Sequence, residues 1–276
     1  MSSALGSWID GEPGAALPAD DRGLQYGDGV FETVLVRGKC ARFLDAHLAR
    51  LSRGCTRLGI SIASLAVLRA EIDAAVAIAP PLAVLKIIMT RGSALRRGYA
   101  PQGDETTRRI ISLWHAPPRD AALDDGVDLR VASIRLGENP ALAGIKHLNR
   151  LENVLAAAES TSHGVFESLL LDASGNLVSG AMSNVFIVRE GGVATPLIQR
   201  CGVAGVMRGI VLRECAALGL DAAEECLTLD DLYSAAGVFI TNARIGVVPA
   251  RRVGEHLFDM NKLARRLAAH IETLDA

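Results

Sequence analysis

Gly144-Ile145-Lys146-His147-Leu148-Asn149-Arg150-Leu151-Glu152-Asn153 is the stretch around which the rest of the chain can be read. After the lysine, Leu148, Leu151, Leu155 and Ala158 recur at helical spacing, with Ala156, Ala157 and Glu159 filling the turns. That pattern predicts a helix with Lys146 at its mouth. Asn139-Pro140 and Gly144 mark a loop leading into it. An ammonium at a helix N-terminus opposes the helix dipole, and the same field favours the neutral, nucleophilic amine. Such an amine can condense with a carbonyl or carry a proton. The same lysine also reads as an ordinary solvated side chain, and only the surrounding sequence separates the two.

The chain has 276 residues, long enough for two domains of ordinary size, and half of them are hydrophobic, ample for sizeable cores. A net charge of −2 gives no reason to expect nucleic acid or an anionic membrane as a partner. No apolar run reaches the roughly 18 residues that span a bilayer, and the N-terminus lacks a signal-peptide core. The expectation is a cytoplasmic protein acting on a small molecule. Cys40, Cys55, Cys201, Cys215 and Cys226 are scattered, and the histidines fall into no ligand spacing, so neither a disulfide framework nor a metal is expected.

Upstream of the lysine, Asp10-Gly11 predicts a tight hairpin. A glycine-bearing loop over 21–29 then leads into a strand over 30–36. Leu44, Leu48, Leu51, Cys55 and Leu58 trace one face of a helix, with Arg50 and Arg53 off that stripe. A second helix, carrying Leu65, Leu68, Ile72 and Val76, ends before Pro80-Pro81. Strands over 83–90 and 109–115 enclose a basic loop, 91–99.

Pro117-Pro118 extends the chain and marks a linker, giving domains 1–115 and 122–276 joined by 116–121. Beyond it come strands over 128–134, 167–172, 177–179, 184–188, 238–241 and 247–248. Gly202-Val203-Ala204-Gly205-Val206-Met207-Arg208 opens a helix expected to run to about Leu218, and another is expected over 259–274. Strands and helices alternate without a strict βαβ rhythm, which favours α+β over a doubly wound sheet.

Individual spots carry weak chemical signals. Gly205-Val206-Met207 puts backbone N–H groups at a helix start, a natural phosphate cradle, though many helices start so without binding anything. Arg50 reads as a bidentate phosphate donor or as a solvated face. Arg91, Arg96 and Arg97 read as receivers of carboxylates or as a solvated charge run. No nucleophile elbow, P-loop or dinucleotide fingerprint is present.

Four motifs in order change the weight of these spots. They are Asp21-Arg22-x-x-x-Tyr26-Gly27-Asp28-Gly29-Val30-Phe31-Glu32; Arg91-Gly92-Ser93 through Arg97-Gly98-Tyr99; Leu142-Ala143-Gly144-Ile145-Lys146-His147-Leu148-Asn149-Arg150-Leu151-Glu152; and Ser183-Asn184-Val185-Phe186 followed by Gly202-Val203-Ala204-Gly205-Val206-Met207-Arg208. Over essentially its whole length the chain resembles the fold-type IV pyridoxal-phosphate enzymes, and among them most of all the aminodeoxychorismate lyases. That resemblance implies a two-domain α+β fold of the D-amino-acid aminotransferase kind, with pyridoxal 5'-phosphate in the interdomain cleft of a homodimer. It implies a lyase forming 4-aminobenzoate and pyruvate from 4-amino-4-deoxychorismate in folate biosynthesis. A D-amino-acid or branched-chain aminotransferase, or a catalytically impaired cofactor-binding relative, are the alternatives.

The resemblance also carries site residues. It makes Lys146 the lysine that holds the cofactor and shuttles protons. Arg50 falls on the phosphate-binding arginine, and Gly205, Val206 and Met207 on the phosphate-binding helix start. Asn242 and Ala243 fall on the remaining phosphate loop. Tyr26, Arg91, Arg97 and Tyr99 face substrate, with Arg96 and Arg97 interchangeable because the loop is one residue longer than the family pattern. Ser179 stands where the family usually has a glutamate against the pyridine nitrogen, and Glu167 and Glu190 lie too far along their strands to replace it.

Overall fold

A computed structural model describes residues 4–62, 64–94, 96, 98–103, 105–258 and 262–274. The chain divides into two compact units: one runs up to Pro118 and includes Ile145–Asn149, the other comprises Arg119–Gly144 and the chain from Arg150 onward.

In the first unit the described strands are β1 (Ala4–Ile9), β2 (Glu12–Pro13), β3 (Gly29–Arg37), β4 (Cys40–Ala41), β5 (Leu82–Thr90) and β6 (Arg108–His115). They pair antiparallel in the order β2-β1-β6-β5-β3-β4. The first hairpin turns through Asp10 and Gly11 at φ 54° and 86°, the conformation an Asp-Gly pair selects. Along β5, Ala83, Leu85, Ile87 and Met89 alternate into the core with Val30, Val34 and Val36 of β3. Onto that face pack α2 (Leu44–Leu58) and α3 (Leu65–Ala77) through Leu48, Leu51, Cys55, Leu68 and Ile72.

Helix α2 has the ends its apolar stripe predicts, and Gly59 closes it in the left-handed conformation. His47 and Arg50 lie off that stripe yet are also buried. A short helix, α1 (Arg22–Tyr26), stands where the glycines suggested only loop. Asp21 caps it by accepting from Gly23 N–H at 2.8 Å, and left-handed Gly27 ends it.

In the second unit the described strands are β7 (Val127–Leu136), β8 (Glu167–Asp172), β9 (Leu177–Gly180), β10 (Asn184–Arg189), β11 (Gly192–Pro196), β12 (Asp221–Glu225), β13 (Gly237–Asn242), β14 (Gly246–Val253) and β15 (His256–Leu257). They form one mixed sheet, ordered β12-β11-β10-β13-β14-β7-β8-β9 with β15 on β14. Strands β8, β9 and β11 are buried on both faces, so this sheet is covered on two sides. Its helices are α4 (Leu151–Ser162), α5 (Val206–Ala217), α6 (Leu229–Tyr233) and α7 (Lys262–Glu272). Of the expected last helix, 259–261 lie outside the described residues.

Two expectations about the lysine stretch are corrected. Helix α4 starts at Leu151 with Arg150 as its cap, so Lys146 is not at its mouth. The apolar stripe also points the other way: Leu151, Val154 and Leu155 are 78%, 59% and 54% exposed. The small residues Ala156 and Ser160 face inward instead, and Ser160 Oγ bonds Ser168 of β8 at 2.8 Å. Small side chains let the helix approach the sheet closely, which the leucine periodicity does not reveal.

Candidate active site

In the first unit, the segment carrying Lys146 is an extension of the sheet. Phe31 N–H donates to the Lys146 carbonyl at 2.9 Å, and Leu148 N–H donates to the Gly29 carbonyl at 3.0 Å, with Val30 and His147 bridged antiparallel. Gly29 makes this approach possible, because a Cβ there would lie 2.4 Å from the Met89 carbonyl oxygen and 2.8 Å from Leu148 Cδ1. The pairing sets Lys146 opposite Phe31, with its Nζ 4.4 Å from the centre of the Phe31 ring. Lys86 of β5 reaches the same ring at 5.4 Å. Each such cation–ring contact is worth about 0.5–1 kcal/mol at exposed sites.

Lys146 is therefore oriented by strand pairing and an aromatic face. The helix field expected from the sequence acts within the first turn and does not reach back five residues. Lys86, which the sequence marks only as a strand residue, is a second amine on that ring that the reading of motifs missed.

Arg50 is held from behind. Its Nε donates to Glu32 Oε1 at 2.7 Å and its Nη2 to Glu32 Oε2 at 2.5 Å. His47 Nδ1 lies 2.6 Å from the same Oε2. Glu32 and His47 are fully buried and Arg50 nearly so. Burial alone would raise the Glu32 pKa, but the hydrogen bonds and charges of Arg50 and then His47 hold it below the usual range. Glu32 follows Phe31 on β3, and strand alternation sends its side chain to the opposite face.

Arg91 has a different post from the one expected. Its Nε and Nη2 donate to Asp28 at 2.8 and 3.1 Å, and its Nη1 and Nη2 donate to the carbonyls of Gly59 and Leu58, each at 2.7 Å. These bonds hold the end of α2 to the Asp28 turn. Arg91, expected to face substrate, is thus engaged through Nε, Nη1 and Nη2 in a structural clamp. Asp28 also accepts from Arg22 Nε at 2.9 Å. Burial would raise the Asp28 pKa, yet Arg91 and Arg22 keep it low.

Arg22 in turn donates to the carbonyls of Gly98 and Tyr99, at 2.9 and 2.6 Å, and lies 5.1 Å from the Tyr26 ring centre. The Tyr26 and Tyr99 rings are thereby brought to 5.3 Å, tilted at 57°, with Tyr99 84% exposed. Arg97 lies outside the described residues; Arg96 is exposed.

In the second unit, α5 begins at Gly205 with no side chain capping it, so the amides of its first turn lack intrahelical partners. A Cβ on Gly205 would fall 2.0 Å from Asn184 Oδ1, while Asn184 Nδ2 donates to the Val203 carbonyl at 2.9 Å. Asn184 thus shapes the chain entering the helix. Across the ladder from it is Thr241, whose buried Oγ1 has no hydrogen-bond partner among the described residues. Asn242 accepts from Arg244 and Ile245 N–H at 2.9 and 3.0 Å and so builds the turn that also holds Ala243. An uncapped helix start, a glycine cradle and an orphaned hydroxyl fit a phosphate group.

Ser179 is buried on β9, opposite Leu170. Glu167 enters β8 three residues before Leu170 and accepts from Ser183 Oγ at 2.7 Å and from Met182 N–H. Burial pushes its pKa up to about 7 against those bonds and that of the Ser183 backbone N–H. Its carboxyl is engaged by the turn after Gly180.

The model of the amino-transferase class IV family matches residues 29–253. Aminodeoxychorismate lyase of Vibrio harveyi is 34% identical, over 96% of this chain and 99% of its own. A putative branched-chain-amino-acid aminotransferase of Methanocaldococcus jannaschii is 31% identical, over 88% of this chain and 84% of its own. The crystal structure of 4-amino-4-deoxychorismate lyase from Pseudomonas aeruginosa superposes with a TM-score of 0.89 at 42% identity, covering 98% of this chain and all of that one. Matched over most of its length by the family and nearly end to end by these relatives, the chain belongs to the class IV aminotransferases, the fold-type IV enzymes that work with pyridoxal phosphate.

Proposed function

We propose that the protein is an aminodeoxychorismate lyase, cleaving 4-amino-4-deoxychorismate to 4-aminobenzoate and pyruvate in folate biosynthesis in the cytoplasm. The observation that carries the reading is the pair of amines sharing the Phe31 ring, Lys146 from the segment paired with β3 and Lys86 from β5. Near end-to-end similarity to lyases of V. harveyi and P. aeruginosa supports it.

In the first unit Lys146 is the residue to hold the cofactor covalently, and Arg50 the one to bind its phosphate. In the second, the Val206 and Met207 amides, the Thr241 hydroxyl and the 242–243 turn offer phosphate donors, and Ser179 is the ring-nitrogen neighbour. When bound, pyridoxal phosphate supplies an electron sink for loss of a proton beside the substrate amine. Lys146, released from its covalent bond when the substrate amine takes its place, is the free amine that takes that proton from the amine-bearing ring carbon. The ring carbon–oxygen bond to the enolpyruvyl group then breaks, the ring becomes aromatic, and the departing enol is protonated to pyruvate. Lys86 is placed to receive a substrate carboxylate, and the Tyr26–Tyr99 pair to cover an unsaturated ring.

We further propose a homodimer, supported by the exposed Leu151–Val154–Leu155 stripe, which is more apolar than a solvent-facing helix needs to be. Light scattering on the purified protein checks the mass. Function is tested by incubating the protein with substrate and no keto acid. Equimolar 4-aminobenzoate and pyruvate are expected. Turnover only on addition of a keto acid would replace this reading with an aminotransferase like the M. jannaschii relative.

A further inference from the structure

We propose that Glu32, steadied by His47, is the positioning residue that aims Arg50 at the cofactor phosphate. The proposal rests on the reading of Arg50 as the phosphate arginine. Glu32 chelates the Nε–Nη2 edge of the guanidinium, one oxygen to each nitrogen. A planar guanidinium fixed along one edge has its remaining donors fixed in direction, which is what recognition of a phosphate requires. Arg50 sits on a long flexible stem, and Glu32, on the neighbouring strand β3, removes that freedom before any ligand arrives.

His47 completes the arrangement. It stands three residues before Arg50 on α2, so both side chains leave the same face of the helix. Its Nε2 is buried without a hydrogen-bond partner among the described residues, while Nδ1 meets Glu32 Oε2. That network assigns the hydrogen to Nδ1, which donates to the carboxylate. Glu32 therefore accepts three bonds, two from Arg50 and one from His47, and cannot rotate without breaking at least one of them.

Charge and position pull in opposite directions here, which makes the proposal testable. The negative charge of Glu32 reduces the attraction of Arg50 for an anion. If net charge dominated, Glu32→Gln would bind phosphate more tightly. If position dominates, Glu32→Gln binds it more weakly, because an amide offers one acceptor and turns an N–H toward donors of Arg50 or His47. An aimed charge-assisted bond is lost, and the expected effect is about tenfold or more.

The full-length protein freed of cofactor is titrated with pyridoxal phosphate and, separately, with pyridoxal, which lacks the phosphate. The readout is the ratio of the two affinities, which a merely structural loss would leave unchanged. In Glu32→Gln the ratio is expected to fall about tenfold, as it does in Arg50→Ala. Glu32→Asp keeps the charge but withdraws the carboxylate by one methylene. It is expected to lower the ratio several-fold, and it carries the test by itself if Glu32→Gln does not fold. A ratio that rises or holds in both Glu32 variants, while falling in Arg50→Ala, overturns the role of Glu32 alone. A ratio unchanged in Arg50→Ala overturns the underlying reading of Arg50 as well.

Discussion

Glu167→Gln is expected to stabilise the protein at neutral and alkaline pH while leaving it nearly unchanged in acid. Glu167 is buried, and its two neighbours, Met182 N–H and Ser183 Oγ, only partly offset the loss of water around its charge. Its pKa is pushed up to about 7 from the ordinary 4.5. The folded protein thus holds a proton over that interval which the unfolded chain has already released. Stability from this group is complete below pH 4.5 and is lost progressively as pH rises toward 7. At about 1.4 kcal/mol per pH unit, ionised Glu167 costs on the order of 3 kcal/mol at pH 8.

Glutamine reproduces the protonated form: its oxygen accepts from Met182 N–H and its amide donates to Ser183 Oγ. Urea unfolding of parent and variant at pH 5, 6, 7 and 8 measures the difference. It should be small at pH 5 and open to roughly 3 kcal/mol by pH 8. A difference that does not change with pH, or one that closes as pH rises, refutes the assignment of a neutral carboxyl to this turn.

Three further outcomes follow from the site. Asp28→Asn leaves Arg22 and Arg91 facing each other without a counter-charge and should cost about 3 kcal/mol, read as a fall in Tm; an unchanged Tm would remove Asp28 from the clamp. Gly205→Ala keeps an allowed backbone but drives a methyl into Asn184 Oδ1, so it should weaken retention of pyridoxal phosphate more than of pyridoxal; equal losses would mean that the helix start does not face phosphate. Ser179→Glu should raise transamination relative to elimination, because a carboxylate keeps the ring nitrogen protonated, while aromatisation lets elimination run on a weaker electron sink; a parent that already transaminates as well as it eliminates contradicts that argument.

Much of the fold was legible because its signals are local. The bounds of α2 follow from its own leucines and Gly59, and the β1–β2 turn from Asp10-Gly11. The motifs around Lys146 and Gly205 pointed to the family without any geometry. What escaped depends on partners far away in sequence. Lys146 owes its orientation to Phe31 and Gly29, over a hundred residues upstream. Arg50 read as either a phosphate donor or a solvated face because Glu32 belongs to a strand 18 residues earlier, and the clamp role of Arg91 was hidden because Asp28 is 63 residues away.

Short elements were hidden for another reason. Glycines at 23 and 27 masked α1, and no strand is read between 188 and 238, where Gly192 begins β11. The capping box Thr228–Asp231 could have announced α6, but only five helical residues follow it.

A site organised around Lys146 can be probed chemically. The protein carrying pyridoxal phosphate is reduced with borohydride, digested and mapped by mass spectrometry. The chain has four lysines, Lys39, Lys86, Lys146 and Lys262, so the result is unambiguous. Cofactor is expected on the peptide containing Lys146, and none on any peptide of Lys146→Ala. Cofactor found on Lys86 or another lysine in the parent would contradict that organisation.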